Sequence, residues 1–249
     1  MIKQREIAVE VLDGLAADDP DAMRSRDDLR RLHRVMGTPT ILRRQLQAMA
    51  PLPHDSTPWR VLEIGAGDGS LMLSVAGALM PPWKPVDLTM LDRLALVRDD
   101  TIQQFAALGW TTDVLVLDVM DWAHAAVDAR QESSAMHWDL IIANLFLHHF
   151  VDGELSLLMA AIARRAERFV ACEPRRSWLP LIGSRMVGAI GANAVTRTDA
   201  VLSVKAGFSG HELTTLWNRS ISTDQWQLHE YSAGLFSHCF QAKRQSVDP

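Results

Sequence analysis

Short aliphatic segments alternate with helical stretches through the middle of the chain. The five strand candidates are residues 60–64, 88–92, 114–118, 139–144 and 169–173. The helical stretches between them are residues 70–80, 94–108, 121–130 and 152–168. Strands that are joined through helices form right-handed crossovers, so this alternation predicts a parallel sheet covered by helices on both faces.

The two ends of the chain depart from this alternation. Residues 4–49 show helical spacing of apolar positions, with breaks at Asp19-Pro20 and at residues 37–39, and three prolines in residues 51–58 indicate a linker. We therefore expect residues 1–58 to form a helical cap, or substrate lid, with its linker. Residues 59–249 then form the main domain.

The part after the fifth strand divides into an irregular segment and a regular one. Residues 175–207 are rich in Gly, Pro and Trp without clear periodicity, which indicates an inserted cap. Residues 209–212 have the form of a capping box that opens a helix, and residues 226–231 and 236–243 are typical of two hairpin strands. The prediction is an α/β doubly wound, Rossmann-like sheet of seven strands, five parallel and two in a C-terminal antiparallel hairpin.

A glycine-rich loop follows the first strand and opens a helix. It reads Glu63-Ile64-Gly65-Ala66-Gly67-Asp68-Gly69-Ser70. Glycines accept positive φ and let the backbone approach a ligand without a Cβ in the way. A dinucleotide fingerprint would need a third glycine where Ser70 stands, which weakens that alternative. The loop therefore indicates a different ligand at the carboxyl ends of the strands.

This glycine spacing, with Asp92 one strand later, resembles the first two motifs of class I S-adenosylmethionine (SAM) dependent methyltransferases over residues 59–173. The resemblance implies SAM as the cofactor. It places Asp92 on the ribose hydroxyls, Asp118-Val119 against the adenine, and Asn144-Leu145 beside the methionine ammonium group, with Glu63 beneath it. The complete set of expected cofactor residues is Glu63, Gly65, Ala66, Gly67, Gly69, Asp92, Arg93, Asp118, Val119, Asn144 and Leu145.

Histidines supply the candidate catalytic groups. His148 and His149 follow the fourth strand and resemble the Leu-His-His segment of many small-molecule members of the family. A histidine there could remove the proton of a phenolic acceptor, or the pair could simply pack. His238 is a second candidate, and its position on a strand face with Phe236 and Phe240 also fits a core histidine.

The caps are expected to recognise the methyl acceptor. Arg175, with Arg176, could hold an anionic group, and Trp178 and Met186 are candidates for an apolar pocket. Residues 193–201 and 233–238 are similar to stretches of methyltransferases associated with bacterial type III polyketide synthases. That similarity implies O-methylation of a phenolic or polyketide-like small molecule. Carbon methylation of a quinone precursor and a non-catalytic SAM-binding domain remain alternatives.

Composition narrows the remaining possibilities. A net charge of −5 argues against a nucleic-acid partner, and no segment has the length of apolar sequence that a membrane span needs, so we expect a cytoplasmic protein. The two cysteines fit buried thiols. Asn144 and Glu173-Pro174 stand where catechol-type enzymes carry magnesium ligands, so we expect no metal. The oligomeric state stays open.

Overall fold

The computed structural model describes residues 4–49, 57–79, 85–128, 137–221 and 225–245. These ranges contain a seven-stranded sheet in the order β3-β2-β1-β4-β5-β7-β6. Strands β1 to β5 run parallel, and β7 is antiparallel to both β5 and β6, as predicted. The strands are β1 (Trp59–Ile64), β2 (Val86–Asp92), β3 (Trp110–Val116), β4 (Leu140–Asn144), β5 (Arg168–Pro174), β6 (Trp226–Ala233) and β7 (Ser237–Arg244).

Helices cover both faces of the sheet. They are α1 (Pro20–Met36), α2 (Thr38–Met49), α3 (Ser70–Ala78), α4 (Asp99–Ala107), α5 (Val119–Asp128), α6 (Asp152–Arg165), α7 (Trp178–Arg185), α8 (Ala194–Ala206) and α9 (Glu212–Ser220). Helix α4 begins five residues later than predicted, because the Asp92 carboxylate binds the amide of Leu94 at 2.9 Å and holds a turn there.

The central strands are hydrophobic along their whole length because side chains on both of their faces are buried. Every residue of β4 is buried. On one side Phe169 of β5 and Phe240 of β7 pack against Trp217 of α9. On the other side Phe105 of α4 stacks on Trp110 of β3. The two cores fix the strand ends at which ligands bind in this kind of fold.

The N-terminal cap is only partly as predicted. Helix α1 is capped by the Asp19 side chain and ends at Gly37, whose φ is 73°, so both predicted breaks are confirmed. Residues 4–19 are not an α-helix, and only Leu12–Gly14 forms a 3₁₀ turn. The amides of Val11 and Leu12 bind the Asp199 carboxylate instead of making helical bonds. The predicted linker lies largely outside the described residues.

The segment after β5 is more regular than its composition indicates. Residues 175–207 contain α7, a 3₁₀ turn at Val187–Ile190 and α8. The Asn193 side chain accepts a bond from the amide of Thr196 and so caps α8. Ser25 of α1 lies 2.8 Å from the hydroxyl of Thr196. The inserted segment and the N-terminal cap therefore form one layer. Within the described ranges, no helix combines the length and apolar character of a membrane span.

Candidate functional site

A cavity of about 800 Å³ opens at the carboxyl ends of the parallel strands. Its floor is the glycine loop and the residues that follow β2, β3 and β4, and its outer walls come from α1, α7 and α8. Ligand sites of open α/β sheets lie at this edge, and the volume is that of a small-molecule site.

The glycine loop needs its glycines for two different reasons. Gly65, Gly67 and Gly69 have φ values of 70°, 58° and 73°, a region that other residues rarely adopt. A Cβ on Gly65 would lie 2.2 Å from the Phe146 ring, so that position is closed by packing. A Cβ on Gly67 would meet nothing within 4 Å. The space beside Gly67 is open, and it belongs to the cavity.

Asp92 ties the loop to the end of β2. Its Oδ2 accepts the amide of Gly67 at 2.8 Å, and its Oδ1 accepts the amide of Leu94 at 2.9 Å. A carboxylate has about four acceptor sites, so Asp92 keeps capacity for a ligand. The neighbouring Arg93 also lines the cavity, where its guanidinium pairs with Asp13 at 3.0 Å.

Two buried oxygens beneath the loop lack hydrogen-bond partners among the described residues. They are Oε2 of Glu63, on β1, and Oδ1 of Asn144, on the adjacent β4, and both residues line the cavity. Burial, together with the charges of Asp68 and Asp92, raises the pKa of Glu63 to about 8. Because buried acceptors without partners are rare and costly, these two atoms indicate a place for a ligand that donates hydrogen bonds.

The residue after Asn144 is in a strained conformation. Leu145 has a φ of 48°, and it is the single non-glycine residue with positive φ in the described ranges. Such a conformation costs on the order of 1–3 kcal/mol and is held by its surroundings. Here the Leu145 amide donates to the carbonyl of Cys172 at 2.9 Å. Leu145 lines the cavity, where the resemblance predicts it.

Asp118 and Val119 also reach the cavity. Strand β3 ends two residues before Asp118, rather than at it. The Asp118 carboxylate accepts the amide of Met120 at 2.7 Å and caps α5, while Val119 is buried in the first turn of that helix. A capping role and a ligand role are compatible, because a carboxylate can accept several hydrogen bonds.

His148 is buried between two carboxylates. Its Nδ1 lies 2.8 Å from Glu173, and its Nε2 lies 3.4 Å from Glu10. Burial lowers the pKa of His148, but the hydrogen bonds to Glu10 and Glu173 outweigh burial and raise it to about 9. In this arrangement His148 carries a proton at neutral pH. It could act as the predicted base only after losing that proton.

His149 completes this part of the cavity. Its Nδ1 lies 3.2 Å from the Asp13 carboxylate, and the ring packs beside that of His148. Sequence reasoning missed the three acidic partners, Glu10, Asp13 and Glu173, as members of the site. Glu10 and Asp13 precede the histidines by more than 130 residues, so no local pattern could join them.

Three candidates lie away from the cavity walls. His238 is buried on β7 and bonds Glu230 at 2.7 Å, and this carboxylate also accepts amides at the start of α9. This arrangement is that of a histidine buried in the core, which is the second interpretation of His238. Arg175 does not line the cavity, and Trp178 is 66% exposed outside it. The adjacent Arg176 is buried and pairs with Glu212.

The outer walls are mainly apolar. Helix α1 contributes Leu29, Leu32 and Met36, whereas Met23 of the same helix is exposed outside the cavity. The inserted segment contributes Met186, as expected, together with Pro180, Val187 and Ile190. The cavity therefore has a polar floor, and its outer part combines an apolar wall from α1 and the inserted segment with the polar group around His148 and His149.

No protein-family model matches the sequence, and no curated protein sequence matches it either. Solved structures match its fold. The plantazolicin methyltransferase BpumL in complex with SAH is 14% identical, with a TM-score of 0.60 and 92% of each chain covered. An O-methyltransferase family protein from Burkholderia thailandensis is 15% identical, with a TM-score of 0.57 and coverage of 97% of this chain and 65% of that one.

The pyocyanin biosynthetic protein PhzM is 15% identical, with a TM-score of 0.55. The match covers 92% of this chain and 60% of that one. These likenesses establish that the chain has the fold of these proteins. The predicted fold class is therefore confirmed.

Proposed function

We propose that this protein is a SAM-dependent methyltransferase that acts on a small molecule. The observation that carries the proposal is the pair of buried, unpartnered oxygens of Glu63 and Asn144 beneath an open glycine loop. The ammonium group of SAM is a cationic donor that would bond both oxygens. An ionised Glu63 also needs such a cation, because burial disfavours its charge.

The other cofactor contacts follow from the same edge of the sheet. Asp92 would accept hydrogen bonds from the ribose hydroxyls, and the open space at Gly67 would admit the cofactor close to the backbone. Asp118 and Val119 would bind the adenine amine and cover its ring. When bound, SAM supplies an electrophilic methyl group on a sulfonium.

The methyl acceptor in this proposal is a phenolic or polyketide-like compound that is methylated on oxygen. Its apolar body would contact α1 and the inserted segment, where Leu32, Met36 and Val187 line the cavity. Its hydroxyl would lie at the turn that holds His148 and His149. Methyl transfer is an in-line displacement, so the chain contributes by aligning the two reactants and excluding water.

The proposal is tested in two stages. Calorimetry should show one site for SAM and for its demethylated product, with affinity in the micromolar range. The protein is then incubated with SAM and a panel of resorcinols, alkylquinones and hydroxy acids, and mass spectrometry identifies any methylated product. Absence of SAM binding would overturn the proposal. Methylation of an alkylquinone on carbon would overturn the O-methylation part alone.

A further inference from the structure

Three side chains from distant parts of the chain converge in the outer half of the cavity. Glu10, His148 and His149 each offer one ligand atom, and these atoms all lie within 4.8 Å of one another. We propose that this cluster binds a divalent transition-metal ion of the zinc type. This departs from the expectation of a metal-free site, which considered magnesium ligands at other positions.

One distance within the cluster is that of tetrahedral coordination. Ligand atoms about 2.0–2.1 Å from a zinc ion are about 3.3–3.4 Å apart when the geometry is tetrahedral. Oε1 of Glu10 and Nε2 of His148 are separated by 3.4 Å. An ion between these two atoms would need little movement of either side chain.

Each histidine has a carboxylate close to its Nδ1. Nδ1 of His148 lies 2.8 Å from Glu173, and Nδ1 of His149 lies 3.2 Å from Asp13. Metal-binding histidines commonly donate their second N–H to a carboxylate, which fixes the ring and strengthens the ligand. For His148 this leaves Nε2, the nitrogen nearer to Glu10, as the atom available to an ion.

The local charge also favours a cation. Glu10, Asp13, Glu173 and Asp199 surround the two rings. Arg93 pairs with Asp13, and Arg5 interacts electrostatically with Glu173, which leaves Glu10 and Asp199 as the carboxylates of this group without an arginine contact among the described residues. The ligand histidines must be neutral, so a divalent ion would offset two of these negative charges.

The type of ion follows from the ligands. Two imidazole nitrogens and one carboxylate suit Zn²⁺, Fe²⁺, Co²⁺ or Ni²⁺ better than Mg²⁺, which prefers oxygen. Three protein ligands leave a coordination position open, as in catalytic rather than structural zinc sites. All three residues line the cavity. This last step rests on the proposed function: the open position would take an oxygen of the methyl acceptor.

The test is a titration of the tag-free, full-length protein with CoCl₂, followed by visible absorption, and then competition with ZnCl₂. We expect one Co²⁺ per chain with the spectrum of a nitrogen and oxygen site. Glu10→Gln and His149→Gln should each weaken binding at least about 100-fold, and Asp13→Asn by about 10- to 100-fold. His211→Gln removes an exposed histidine outside the cavity and should change nothing.

Two outcomes would overturn the metal site: no saturable Co²⁺ binding by the wild-type protein, or equal affinity in Glu10→Gln, His149→Gln and wild type. Thermal unfolding of each variant checks that it is folded. SAM binding measured with and without Co²⁺ separates this inference from the proposed function. Loss of the metal site alone leaves SAM binding intact, and absence of SAM binding with retained Co²⁺ binding refutes only the methyltransferase proposal.

Discussion

Replacing Glu63 by Gln should stabilise the free protein and weaken its binding of SAM. Burial raises the pKa of this carboxyl from its ordinary 4.5 to about 8, so the folded protein holds the proton more tightly than the unfolded chain does. The contribution of this proton to the free energy of unfolding is complete below pH 4.5, and it is lost as the pH rises from 4.5 to about 8. The difference between the two pKa values corresponds to about 5 kcal/mol at most. Gln stays neutral and avoids this loss.

Urea unfolding between pH 5 and 8, without SAM, measures the effect. The free energy of unfolding of Glu63→Gln, relative to wild type, should rise by about 3 kcal/mol across this range, at up to about 1.4 kcal/mol per pH unit. Asp87→Asn removes an exposed carboxylate of β2 and serves as the control. A pH-independent difference between Glu63→Gln and wild type would refute the reasoning about burial.

The same variant tests the role of Glu63 toward the cofactor. At pH 8 we expect Glu63→Gln to bind SAM more weakly than wild type by about 1.5–3 kcal/mol, because a charge-assisted hydrogen bond to the ammonium group is lost. Calorimetry on the two proteins gives the difference. Unchanged affinity in the more stable variant would mean that the ammonium group binds elsewhere.

Three further predictions concern the floor of the cavity and the histidines. Asp92→Ala should weaken SAM and its demethylated product by about 1.5–3 kcal/mol in calorimetry, and equal affinity would place the ribose elsewhere. Gly67→Val should abolish SAM binding in a folded protein, whereas Gly210→Val, with a similar φ of 61° and equally open space, should bind normally. His148→Ala and His149→Ala should each lower kcat about 100-fold or more with little change in SAM affinity, and near-normal rates in both would make the pair structural.

The floor of the cavity could be predicted from the sequence because its determinants are local. Each expected residue follows directly from a strand end, and parallel strands bring their carboxyl ends to one edge. Gly67, Asp92 and Asn144 therefore needed only the alternation of strands and helices to be placed together. The structure shows hydrogen-bonding details that a sequence pattern cannot, such as the buried Oε2 of Glu63, which has no partner in the part of the chain that the structure describes.

The outer half could not be predicted, because contacts between distant segments determine it. The spacing of Ile7, Val11 and Leu12 fits a helix, but Asp199 binds the amides of Val11 and Leu12 and holds this segment against α8. The composition of residues 175–207 indicates an irregular segment, although it forms α7 and α8, which pack on each other while α8 packs on α1. His238 is a candidate from the sequence but is bonded to Glu230 on the neighbouring strand, away from the cavity. The sequence could not show this partner either.

The irregular segment of residues 4–11, which is bonded to α8, has a consequence for how the protein could diversify. The floor of the cavity comes from the sheet, whose buried strands tolerate little change. Glu10 and Asp13 belong instead to a segment that has no core of its own and is fixed by a few polar contacts, including that of Lys205 with Glu6. Substitutions in this segment would alter one wall of the cavity without disturbing its floor. Under the proposed function, acceptor preference could therefore change while cofactor binding stays the same.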